Sequence, residues 1–135
     1  MPFMVTPLYA GLLGIVLLVL SFLVSRQRMR HNVSVGDGGV PALVGAIRAQ
    51  GNFVEYVPLT LILLALLELT HHSLYLLHGL GIALVLGRVL HAYGISTRPE
   101  GRSFGRMWGI LLTWIPMLAA SVLLIIAAVY HLLTA

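Results

Sequence analysis

Four apolar segments long enough to cross a bilayer, arginines confined to alternate connections, and very little other charge predict an all-α integral membrane protein, a four-helix bundle. Hydrophobic residues make up 59% of the 135-residue sequence and charged residues 9%, with a mean hydropathy of +1.00. A soluble domain carries about 25% charged residues. Too little polar surface remains here to cover a water-soluble globule, and the length suits one domain, residues 1–135.

A membrane-crossing helix needs about 20 predominantly apolar residues. The first segment runs roughly from Met4 to Ser25. No basic region or small-residue cleavage site accompanies it, so it reads as a retained span and not a signal peptide. A basic, turn-rich stretch ending in GDGG leads to the second segment, roughly Val40 to Thr70. The tight link THHS precedes the third, Leu74 to Tyr93. GISTRPEGRS, with Pro99 and Gly101 as breakers, precedes the fourth, Phe104 to Leu133. Pro58 and Pro116 fall inside helices, where bundle neighbours tolerate a kink. Gly79, Gly81 and Gly87 in the third helix, and Ala119, Ala120 and Ser121 in the fourth, permit close helix contacts.

All eight basic residues are arginine. Arg26, Arg28 and Arg30 follow the first span; Arg98, Arg102 and Arg106 lie in or beside the third connection. The second connection and both termini have none, so the first and third connections are expected on the cytoplasmic side with both termini outside. A basic surface interleaved with aromatics is missing, which argues against nucleic acid as a partner. Cysteine is absent, which excludes disulfides, thiolate metal sites and a thiol nucleophile carried by the protein.

Ionisable groups inside a membrane are costly and point to function. In the second helix Arg48, Asn52 and Glu55 stand at i, i+4 and i+7 and share a face. Tyr56 lies at its edge, and Gln50 sits on a neighbouring stripe. This face is either an Arg–Glu lock between helices or a polar pocket for a zwitterionic ligand. In the third helix Arg88 and His91 form a second stripe, with Tyr93 two positions on. Arg88 either snorkels to the interface or pairs with Glu55 on the antiparallel neighbour. At the start of the fourth helix, Ser103 suits an N-cap, and Arg102 beside a helix N-terminus suits an anion. Glu68, His71 and His72 are expected at the opposite interface, and His78 and His131 are isolated. Neither a metal-ligand spacing nor a phosphate loop appears.

The segment R48-A-Q-G-N52-F-V-E55-Y56-V-P58 resembles the second-helix signature of the MAPEG family, the membrane-associated proteins in eicosanoid and glutathione metabolism. It is especially similar to the leukotriene C4 synthase form. G87-R88-V89-L90-H91 resembles the third-helix motif of the prostaglandin E synthase branch, and R102-S103 falls where that branch carries an Arg-Ser pair. The likeness spans essentially the whole chain, and its compact length resembles bacterial members of the inner membrane. It implies a homotrimer with glutathione, as cosubstrate, held between subunits. Carried over residue by residue, Arg48, Asn52, Glu55 and Tyr56 line that cleft, with Gln50 near its mouth, Arg88 and His91 from the third helix, and Arg26 from the first. Arg102 becomes the thiol-activating residue and Ser103 a donor to the sulfur. The tyrosine that several members place one turn after the histidine falls at Ile95, with Tyr93 close by on another face.

The resemblance therefore implies a glutathione-dependent transferase or peroxidase acting on lipophilic electrophiles at the cytoplasmic side. The rival is a non-catalytic membrane module that binds glutathione or a similar small anionic ligand, or is purely structural. A transporter fits less well, since inverted repeats and broken half-helices are missing.

Overall fold

The computed structural model describes residues 3–98 and 101–134. They form four α-helices: α1 Val5–His31, α2 Pro41–Leu69, α3 Leu74–Thr97 and α4 Phe104–Thr134. Each carries a window apolar enough to cross a membrane. At 1.5 Å per residue, lengths of 24–31 residues give about 36–46 Å, more than the ~30 Å hydrocarbon core. Each helix is therefore long enough to span the core with some tilt. Pro99, expected as a breaker, lies outside the described residues.

Two helices outrun their apolar segments. α1 continues six residues past Ser25, so Arg26, Arg28 and Arg30 ride on its last turns and not on a loop. Arg, Gln and Met are good helix formers, and basic side chains suit the negative end of the helix dipole. The stop is local. Asn32 takes the left-handed conformation (φ 53°), and the Val33 N–H reaches back to the Arg28 carbonyl at 3.0 Å. Arg28 Nη1 then donates to the Gly36 carbonyl at 2.7 Å, holding the GDGG turn against the helix end. Gly36, Gly38 and Gly39 all have positive φ, the reason this turn is glycine-rich. Pro41 at the first position starts α2. α3 likewise runs four residues beyond Tyr93.

α2 and α3 form the middle of the bundle. α1 packs on both, α4 packs on both, and α1 and α4 do not touch. Leu13, Leu64, Leu67, Leu77, Leu84 and Ala120 are among the side chains closed inside. At the end away from the arginines, Gly81 makes room for the Tyr9 ring, whose hydroxyl shares a 2.9 Å hydrogen bond with His78 Nδ1. Beside it, Glu68 sits at this end of α2 but turns inward: it is buried, and its carboxylate accepts the N–H groups of Met4, Val5 and Thr6 at 2.7–2.8 Å. The end of α2 thereby caps the start of α1, which has no cap of its own.

α3 and α4 come together almost backbone to backbone. A Cβ on Gly109 would stand 2.6 Å from His91 Cβ and 2.7 Å from the Gly87 carbonyl, and one on Gly94 would stand 2.5 Å from the Arg106 nitrogen. Gly105 and Gly109, four apart on α4, meet Gly94 and Gly87, seven apart on α3. Gly109→Ala is expected to destabilise the fold by about 1–3 kcal/mol through overpacking. Gly79→Ala, where a Cβ meets nothing within 4 Å, is expected to be neutral or to stabilise by up to about 1 kcal/mol. Thermal unfolding of the two variants in one detergent checks both, and equal midpoints would contradict the close contact.

Candidate functional site

The polar stripe of α2 divides as it folds. Arg48 and Glu55 form an ion pair at 3.6 Å along the outside of the helix, and both side chains are more than half exposed, 58% and 53%. The Arg48 guanidinium lies beside Gly51. Asn52 turns inward and is buried. Three residues cover 300°, so Asn52 and Glu55 stand 60° apart around the axis, enough to put one inside and the other out.

Asn52 holds the largest fully buried side chain among the described residues, Arg88. Arg88 Nη1 donates to Asn52 Oδ1 at 2.6 Å, and Nη2 approaches the Gly109 carbonyl at 3.5 Å. Arg88 neither snorkels nor pairs with Glu55. Glu55 is taken by Arg48, and among the described residues no carboxylate pairs with Arg88. Its Nε is buried with no hydrogen-bond partner there. A neutral acceptor thus orients a buried cation, a charge-assisted bond at short range. His91, one turn on, is buried against Gly109.

Above this pair a cavity of about 160 Å³ opens between α2, α3 and α4. Its polar walls are Arg48, Asn52, His91 and Arg106, and its apolar walls include Val44 and Ile95. A wider cleft of about 680 Å³ adjoins it, lined by Arg102, Ser103, Phe104 and Met107, with Arg106 and Ile110 common to both. Ser103 caps α4: its Oγ accepts the Arg106 N–H at 3.2 Å and donates to the Gly94 carbonyl at 3.2 Å. One hydroxyl both starts α4 and ties it to α3. Among the described residues no group of histidine and acidic side chains is placed to hold a metal ion.

The MAPEG family matches residues 6–126, nearly the whole bundle. The chain belongs to the MAPEG family. It is also similar to the inner membrane protein YecN of Escherichia coli K12 and to YecN of the O6:H1 strain. Each is 42% identical over 95 residues, covering 70% of this chain and 72% of the relative. No solved structure matches. With four spans and relatives of this kind, the chain is an integral protein of the inner membrane.

Within this MAPEG chain the residues singled out from the sequence fall into three groups. Arg48, Asn52 and His91 line the small pocket, with Arg88 beneath them through Asn52 and Glu55 joined to Arg48 outside. Arg102 and Ser103 line the wide cleft, and Arg102 is exposed. The rest line neither cavity in the single chain. Gln50 faces α1, where its Nε2 donates to Ser21 Oγ at 2.8 Å. Tyr56 is half-buried, with its ring 6.3 Å from that of Trp114, and acts electrostatically on the buried Arg88. Tyr93 and Arg26 are exposed, the latter on α1, which does not reach α4. From the sequence Arg106 reads as a topology-setting charge alone. Its position three residues after the capping Ser103 is the signal that places it in the first turn of α4, facing the pocket.

Proposed function

We propose that this MAPEG protein is a glutathione-dependent membrane transferase or peroxidase acting on lipophilic electrophiles. The observation that supports it is the small pocket itself, where two guanidinium groups, an imidazole and an amide converge in a protein with four acidic residues in all. Such a pocket favours an anionic ligand with directional acceptors. Glutathione carries two carboxylates and one ammonium. Arg48 suits a carboxylate, and Glu55 next to it suits the ammonium.

The pocket in one chain is smaller than a tripeptide, and the Arg48–Glu55 pair lies exposed on a helix of membrane-crossing length. Both features fit a homotrimer in which a neighbouring copy closes the site, and Gln50, Tyr56, Tyr93 and Arg26 then have a second surface to act on. The arginine-rich end is proposed to face the cytoplasm.

A free thiol has a pKa of about 8.5 and is lowered by a nearby cation. An arginine at the start of α4, Arg102 in the family likeness, supported by the helix dipole, holds the bound sulfur as thiolate. The thiol proton leaves to solvent. With an activated aryl chloride as probe, the sulfur lone pair forms the S–C bond, the C–Cl bond breaks, and chloride leaves with the bonding pair.

Purified protein in detergent is expected to bind glutathione saturably in a calorimetric titration, to show thiolate absorbance in the ultraviolet, and to conjugate chlorodinitrobenzene. Failure to bind glutathione sinks the reading. Binding without conjugation assigns the protein to the alternative, a non-catalytic module that holds a small anionic ligand.

A further inference from the structure

The small polar pocket and the wide cleft meet at a shared wall. Arg106 and Ile110 line both, whereas Arg102 lines the wide cleft alone. The two arginines also differ in setting, Arg106 being half-buried and Arg102 exposed. We propose that Arg106 is the catalytic cation: it holds the glutathione sulfur at the junction between the polar pocket, which takes the peptide, and the wide cleft, which takes the electrophile. This rests on the glutathione reading above and departs from the family likeness, which gives the thiol to Arg102.

Several features fix Arg106 in that place. Its backbone N–H is bonded to Ser103 Oγ, so the residue belongs to the capped first turn of α4. Its Nη1 donates to the Gly101 carbonyl at 2.8 Å, which anchors the guanidinium to the end of the preceding loop. Gly94 and Gly105 let this turn lie directly on α3. The same contact sets the guanidinium across the pocket from His91, on which Arg106, Arg48 and Arg88 all act electrostatically. A sulfur anion at Arg106 meets a guanidinium, a helix N-terminus and the open side of the wide cleft together.

The wide cleft has the composition an electrophile site needs. Phe104, Met107 and Ile110 give it apolar walls, and Arg102 stands among them as an exposed charge. A lipophile lodged against Phe104 and Met107 reaches the junction without crossing the polar pocket. The thiolate at Arg106 then attacks with the peptide still bound behind it, and the electron pair follows the path already given, from sulfur to the new S–C bond and out with the leaving group.

The test compares Arg106→Gln, Arg106→Lys and Arg102→Gln with the wild type in detergent, reading glutathione affinity by calorimetry and bound thiolate by ultraviolet absorbance against pH. In Arg106→Gln the midpoint of thiolate formation is expected to rise by about 1–3 pH units, the effect of losing an adjacent opposite charge. Arg106→Lys should restore most of that shift, and Arg102→Gln should leave the midpoint within a few tenths of a unit. A shift in Arg102→Gln but not in Arg106→Gln, or in neither, overturns the proposal. Wild-type protein that binds glutathione without forming thiolate overturns it too, while the binding reading stands. Wild-type protein that does not bind glutathione removes the underlying reading instead. Should Arg106→Gln not fold, Ile110→Phe narrows the junction. It is expected to lower chlorodinitrobenzene conjugation at least tenfold more than it weakens glutathione binding, and equal losses in both overturn the assignment.

Discussion

Glu68→Ala is expected to destabilise the bundle by about 2–4 kcal/mol, although residue 68 lies at the far end from the pocket. The reason is the triple acceptor role of its carboxylate. The N–H groups of Met4, Val5 and Thr6 all point at it, and the last two residues are buried. α1 has no acidic residue in its first turn and no side-chain cap of its own. Removing the carboxylate leaves buried donors at a positive helix end, where a lost cap alone costs about 0.5–2 kcal/mol. Glu68→Gln keeps one acceptor oxygen but turns an amino group toward the same N–H groups, so it should also destabilise, by less than alanine. Thermal unfolding in detergent ranks the three proteins. Hydrogen exchange at the first turn of α1 should rise in both variants, and midpoints and exchange equal to wild type would show that water caps the helix equally well.

Glu68 also shows where a linear reading stops. Its partners lie 62–64 positions away, and nothing in LLELTHHS announces that its acid will fold back onto another helix. The four spans were legible because a bilayer imposes one length and one composition on every helix that crosses it. Helix ends were not, since Arg26 to His31 is polar yet helix-favouring, and apolarity measures lipid contact and not helicity. In the site, the stripe Arg48, Asn52 and Glu55 could be read from spacing, but its division into an inner Asn52 and an outer ion pair depends on where α3 lies. Arg106 was legible in principle from the Ser103 cap, and Gly105 and Gly109 from their spacing of four. Both were masked by simpler explanations for an arginine near a loop and a glycine in a membrane helix.

The buried pair behind the pocket should show an asymmetry that a lipid-facing or solvated arginine cannot. Asn52→Leu is expected to lower stability by about 3–5 kcal/mol, because it strands the buried guanidinium of Arg88 among apolar side chains. Arg88→Met removes the charge and leaves a buried amide without its donor, a loss of about 1–3 kcal/mol. The double variant Asn52→Leu with Arg88→Met replaces both partners by apolar groups and should recover much of the loss, ending closer to wild type than Asn52→Leu alone. A double-mutant cycle from thermal or denaturant unfolding measures the coupling. Additive effects would show that the 2.6 Å contact contributes nothing and that Arg88 is satisfied elsewhere. The same cycle separates stability from binding. Asn52 is a wall of the pocket and Arg88 is what orients it, so the double variant, even when stable, should bind glutathione more weakly than wild type. A stable double variant with unchanged affinity would reduce the pair to a packing device and leave Arg48, His91 and Arg106 to hold the ligand alone.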